Sequence, residues 1–98
     1  MFAQNASGNN PHQVGVIVPY QTADDERWIN FAGRRLADEF GGFAYAAGMR
    51  GEAVIVLAIT FSLTELDLVV LYRIGQQVKS GLGREGVAIV VDGDILML

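Results

Sequence analysis

A chain of 98 residues that is 51% hydrophobic and only 18% charged forms one domain, and it carries more apolar surface than a core of that size needs. A net charge of −4 with no basic cluster argues against nucleic acid, because acidic surface repels a phosphate backbone. The absence of cysteine removes disulfides, thiolate nucleophiles and Cys-type metal sites, and no apolar run is long enough to span a bilayer, so the expectation is a soluble, acidic, cytoplasmic protein.

Residues 1–12 are rich in Asn, Gln, Ser, Gly and Pro, with Phe2 their only large apolar side chain, and read as a flexible N-terminal tail ahead of a single α+β domain over 13–98. Val14, Val16, Val18 and Tyr20 then alternate with Gly15, Ile17 and Pro19, the period of a strand. Thr22 is positioned to cap a first helix, with Asp24, Asp25 and Glu26 at its positive end. Trp28, Ala32, Leu36 and Phe40 recur every four residues as its buried stripe, and Gly41 and Gly42 end it.

Phe43, Tyr45, Ala47 and Met49 mark a second strand, and Arg50 and Gly51 a tight turn. Residues 52–61 give a third strand in which alternation vanishes, as expected of a strand covered on both sides. Ser62 and Glu65 have the spacing of a capping box for a second helix, whose inner face is expected from Leu63, Leu66, Val70, Ile74 and Val78. Gly75 inside that helix implies close packing against the sheet, and Gly81 and Gly83 imply its end. Val87–Val91 is a fourth strand, and Asp92 and Gly93 form a hairpin turn leading to a short fifth strand over 95–98.

The order strand, helix, strand, strand, helix, strand, with a terminal hairpin, resembles the ferredoxin-like βαββαβ two-layer sandwich, and a link through Phe40, Gly41, Gly42 and Phe43 is similar to that of small bacterial proteins of this architecture. The resemblance implies an antiparallel sheet with both helices on one face and assigns no catalytic residue.

That architecture meets a conflict in the middle strands. Val54, Val56 and Ala58 point one way and Ile55, Leu57 and Ile59 the other; Val87, Ile89 and Val91 oppose Ala88 and Val90. Whichever set faces the helices, the other forms an apolar platform of roughly 400 Å², a size that marks a binding surface. Val54, Ile55, Val56, Leu57 and Ile89 are therefore the candidate interface residues, and a homodimer or higher homo-oligomer is the expected cover, with a small apolar ligand or a partner protein as alternatives.

Polar chemistry is sparse. Tyr20, Tyr45 and Arg50 are candidate ligand-binding residues of a pocket beside the first helix. His12, the only histidine, has no evident partner; Asp92 and Asp94 fit turn residues better than metal ligands, and Asp24, Asp25 and Glu26 fit helix-end charges better than a cation site. Tyr72 falls on the outer face of the second helix as a possible partner contact. The G-x-G-x-x-G spacing from Gly81 to Gly86 follows a helix instead of opening one, so it is no phosphate loop. No catalytic residue, metal or cofactor is assigned. The expectation is a non-enzymatic, self-associating domain that binds a partner or apolar ligand through its sheet face; the alternative is a cofactor-free enzyme of the dimeric α+β-barrel kind acting on an apolar or aromatic substrate.

Overall fold

The computed structural model describes residues 11–42 and 44–98, the side chain of Arg50 excepted. The stretch over 1–10 read as tail, with Phe2, and the Phe43 expected to open the second strand lie outside the described residues. Strand β1 spans His12–Pro19, a short 3-10 turn spans Ala23–Asp25, and helix α1 spans Glu26–Glu39. Strands β2 (Ala44–Arg50) and β3 (Ala53–Thr60) precede helix α2 (Glu65–Leu82), and β4 (Ala88–Val91) and β5 (Asp94–Met97) complete the order. His12 thus belongs to β1 and not to the tail, because its backbone pairs with Thr60.

The five strands form one open antiparallel sheet in the order β2-β3-β1-β4-β5. Val14, Val16 and Val18 of β1, Val54, Val56 and Ala58 of β3 and Val87 and Ile89 around β4 share one cluster with Ala32, Leu36 and Phe40 of α1 and Leu71, Ile74 and Val78 of α2. Both helices therefore lie on one side of the sheet, and strand alternation sends the other set to the opposite side. There Ile17, Leu57, Ala88 and Val90 form a second, smaller cluster with Tyr45, Ala53 and Ile55 beside it.

Several local expectations shift. The capping box of α2 is Thr64 with Asp67, two residues later than the Ser62 and Glu65 spacing suggests: the Asp67 N–H donates to Thr64 Oγ1 at 3.2 Å and the Thr64 N–H to Asp67 Oδ2 at 2.9 Å. Apolar side chains nearly encircle the first half of α2, so periodicity leaves its inner stripe ambiguous. The core takes Leu71, Ile74 and Val78, and Leu66 is 71% exposed. Gly81 lies within α2, where the Trp28 ring occupies the space a Cβ would take, and the helix ends at Gly83 in the left-handed region with φ 68°. Gly75 meets the sheet as expected, at Ile89 and Leu98.

Two-residue turns close both hairpins. Arg50 pairs with Ala53 around Gly51 and Glu52, and Val91 with Asp94 around Asp92 and Gly93, whose φ values of 49° and 90° suit a turn twisting with its strands. A register shift between Ala46 and Gly48 interrupts β2, so its side-chain alternation does not run unbroken from Tyr45 to Met49.

Candidate functional site

Several of the large apolar side chains left exposed gather at one edge of the sheet. Leu68, Val69 and Tyr72 on the outer flank of α2 form one wall of an open groove of about 560 Å³, and Ile89, Val91, Ile95 and Leu96 form its floor and second wall, with Asp94 at one end. Leu96 is 55% exposed, Met97 61% and Tyr72 45%. β5 borders a single strand, so its outer edge has no strand partner among the described residues.

The platform expected on the sheet face is less open than its composition suggests. Ile17, Leu57, Ala88 and Val90 retain between 0 and 8% exposure, packed on one another. Gly15 helps explain this. Its missing side chain leaves room into which Leu57 leans, with Cδ2 only 2.6 Å from where a Cβ would stand. Of the candidate interface residues, Val54, Val56 and Ile89 sit in the helix-side core, and Ile55 and Leu57 belong to the opposite face.

Two of the candidate ligand residues, Tyr20 and Tyr45, pack with different clusters. Tyr20 packs against the helix-side core, whereas Tyr45 packs with Leu57 on the other face and lines a second groove, of about 630 Å³, between α1 and β2. Asn30 and Arg34 border that groove, and Gly33, Ala37 and Ala44 make it hollow by being small. Arg50 closes β2 opposite Ala53. His12 and Tyr20 lie at opposite ends of β1, about 25 Å apart at the usual rise of a strand.

Two polar constellations emerge from pairs distant in sequence. His12 Nδ1 lies 2.8 Å from Asp92 Oδ2, the Gln13 N–H donates to Asp92 Oδ1 at 2.9 Å, and the Asp92 N–H returns to the Gln13 carbonyl at 2.8 Å. The His12 contact first, then the Gln13 amide, hold the Asp92 carboxyl below its ordinary range. Its side chain is 46% exposed, and the arrangement anchors the β4–β5 turn to the start of β1.

Asp25 is 4% exposed and accepts from the Gln21 N–H at 2.8 Å, the Thr22 N–H at 3.0 Å and the Arg84 guanidinium. The Gln21 amide and Arg84 together lower its carboxyl to about 2. It is thus a structural acceptor that fixes the entry to α1, beyond the helix-end charge its position implies. Among the described residues, no group of three or more His, Asp or Glu is placed to hold a metal ion.

No family model, curated protein or solved structure matches this chain. The site therefore rests on geometry. Helical spacing turns Tyr72 outward, but Leu68, Val69, Ile95 and Leu96 carry no local mark that separates them from buried helix and strand positions. The available signal was the unbroken apolar run from Ile95 to Leu98 directly after a hairpin turn, which leaves neither face of the final strand polar.

Proposed function

We propose that this chain is a non-enzymatic interaction domain that self-associates, or receives a partner protein or apolar ligand, through exposed apolar surface. The observation that carries this is the groove between α2 and β5, where seven apolar side chains line open surface beside a sheet edge with no strand partner among the described residues. A strand edge bordered by apolar side chains is also a recurrent docking geometry, because backbone hydrogen bonds supply affinity and the flanking groove supplies selectivity. Among the described residues that line the groove Asp94 is the one charged side chain, which supports binding over chemistry. No helix among the described residues is long and apolar enough to cross a membrane.

A sheet ordered β2-β3-β1-β4, with helices following β1 and β3, supports a ferredoxin-like sandwich extended by β5 as an added edge strand.

Light scattering at micromolar concentration, run beside titration with an environment-sensitive apolar dye, tests the function. Expected is a mass above that of the monomer, or dye binding that falls when Leu68 and Leu96 are both replaced by Ser. A strict monomer that binds no dye overturns the proposal.

A further inference from the structure

We propose that the occupant of this edge is a second copy of the same chain, joined along β5 about a two-fold axis through Leu96; this rests on the interaction-domain reading above. The hydrogen-bond phase of β5 sets the register. The Leu98 N–H donates to the Val87 carbonyl at 3.0 Å, and Ile89 stands opposite Leu96 and Val91 opposite Asp94. In an antiparallel pair, hydrogen-bonded positions alternate with non-bonded ones. Asp94, Leu96 and Leu98 therefore turn their backbone groups toward β4, and Ile95 and Met97 turn theirs outward.

An antiparallel second copy satisfies those outward groups when Ile95 of one chain stands opposite Met97 of the other. Each such pair exchanges two hydrogen bonds, and the symmetry axis then passes between the two Leu96 residues. This register keeps like faces together. Leu96 meets Leu96 on the helix side, Ile95 meets Met97 on the opposite side, and the two grooves open toward one another across the axis. Moving the axis to Ile95 would leave Met97 of both chains without a backbone partner.

Three further observations favour a copy of this chain. The edge has no Lys, no Pro and no bulge from Ile95 to Met97, the devices that ordinarily keep an exposed edge from pairing. Charge is complementary: the same register sets Asp94 opposite Leu98 of the other copy, whose carbonyl already accepts from Lys79 Nζ at 2.8 Å, so an aspartate arrives beside an ammonium on each side. The available area is of the right order: Leu68, Val69, Tyr72, Ile95, Leu96 and Met97 expose on the order of 500 Å² per copy, so a pair that buries all of it reaches about the minimum for a specific interface.

Oxidative cross-linking provides the test, because the native chain has no cysteine. Leu96→Cys places two thiols across the axis at a non-bonded pair, where Cα atoms approach to about 4.5 Å, within disulfide reach. Expected is rapid conversion of L96C to a covalent dimer under mild oxidation, with Asp94→Cys and the opposite-edge Met49→Cys remaining largely uncoupled. Met97→Pro removes an outward N–H without touching the β4 pairing and is expected to shift the dimer to monomer in light scattering, with an unchanged circular dichroism spectrum. If the native chain is a monomer that nevertheless binds the apolar dye, the two-fold pairing is overturned and the interaction-domain reading survives. A dimer in which L96C cross-links no faster than M49C overturns the β5 register alone. A dye-silent monomer removes both. The cysteine variants decide the matter even where M97P fails to fold.

Discussion

Arg84 reaches across 59 residues of chain to Asp25 and joins the loop after α2 to the turn before α1. The pair ties together the helix entries and exits at one end of the molecule, and two backbone amides from Gln21 and Thr22 complete the shell around the carboxylate. Asp25→Asn is expected to lower Tm by several degrees at neutral pH. Because the carboxyl is held near 2 against an ordinary 3.8, its contribution is fully present above about pH 4 and is lost as pH falls through 2. Urea denaturation at pH 7, 4 and 2.5 checks this: the native chain loses stability across the acidic interval, and D25N loses less.

Gly15 reverses the usual effect of alanine at a glycine. Replacing glycine in an unstrained strand normally gains a few tenths of a kcal/mol from the unfolded chain. Here a Cβ would enter the Val56 carbonyl oxygen and the Leu57 side chain, and a carbonyl in the central ladder has nowhere to move. Gly15→Ala is expected to destabilise by about 1–3 kcal/mol in denaturant titration.

On α2, truncation separates the inner stripe from the exposed flank. Leu71→Ala and Ile74→Ala, both fully buried, are each expected to cost about 2–5 kcal/mol. Leu66→Ala is expected to stay within about 0.5 kcal/mol of the native chain, since its side chain already stands mostly in solvent. Equal losses at Leu66 and Leu71 in chemical denaturation would contradict this assignment of faces.

Gly81→Ala probes the contact between the helices. The single Trp of the chain, Trp28, lies where the new methyl would go, with Phe31 at 5.4 Å edge-on to its ring. The indole is expected to be pushed outward, seen as a red-shifted emission spectrum.

At the β4–β5 turn, Asp92→Asn keeps a side chain that tolerates positive φ but gives up the charge facing His12. The loss is expected to be under about 1 kcal/mol at this exposed site. Native-state hydrogen exchange should show it locally, as faster exchange at the turn amides. Because the Asp92 carboxyl is held below its ordinary range, the carboxylate's contribution to the tie is present at neutral pH and is lost in acid.

Local chemistry made much of the fold legible. The valine ladder of β1, the four-residue spacing from Trp28 to Phe40, the two-sided strand over Val54 to Ala58 and the glycine-bearing turns at Gly51 and Gly93 all announce themselves within short windows. What escaped depends on distant partners. The Asp25–Arg84 and His12–Asp92 contacts join segments that no local pattern relates. The register shift in β2 breaks an alternation that looks continuous in sequence. The exposed groove required knowing that Leu68 and Tyr72 turn toward the final hairpin, which an almost uniformly apolar helix face does not reveal.

The position of β1 also governs when the chain can fold. The first of the described strands occupies the middle of the sheet, pairing with β3 on one side and with β4 on the other, Val14 against Val91. During synthesis this strand must wait with half its ladder unmatched until β4 has emerged, so closing the sheet depends on a pairing between segments far apart in the chain, the kind of contact that slows folding. A nascent chain halted before Ala88 would display the valines of β1 along a bare central edge, the species most in need of a chaperone.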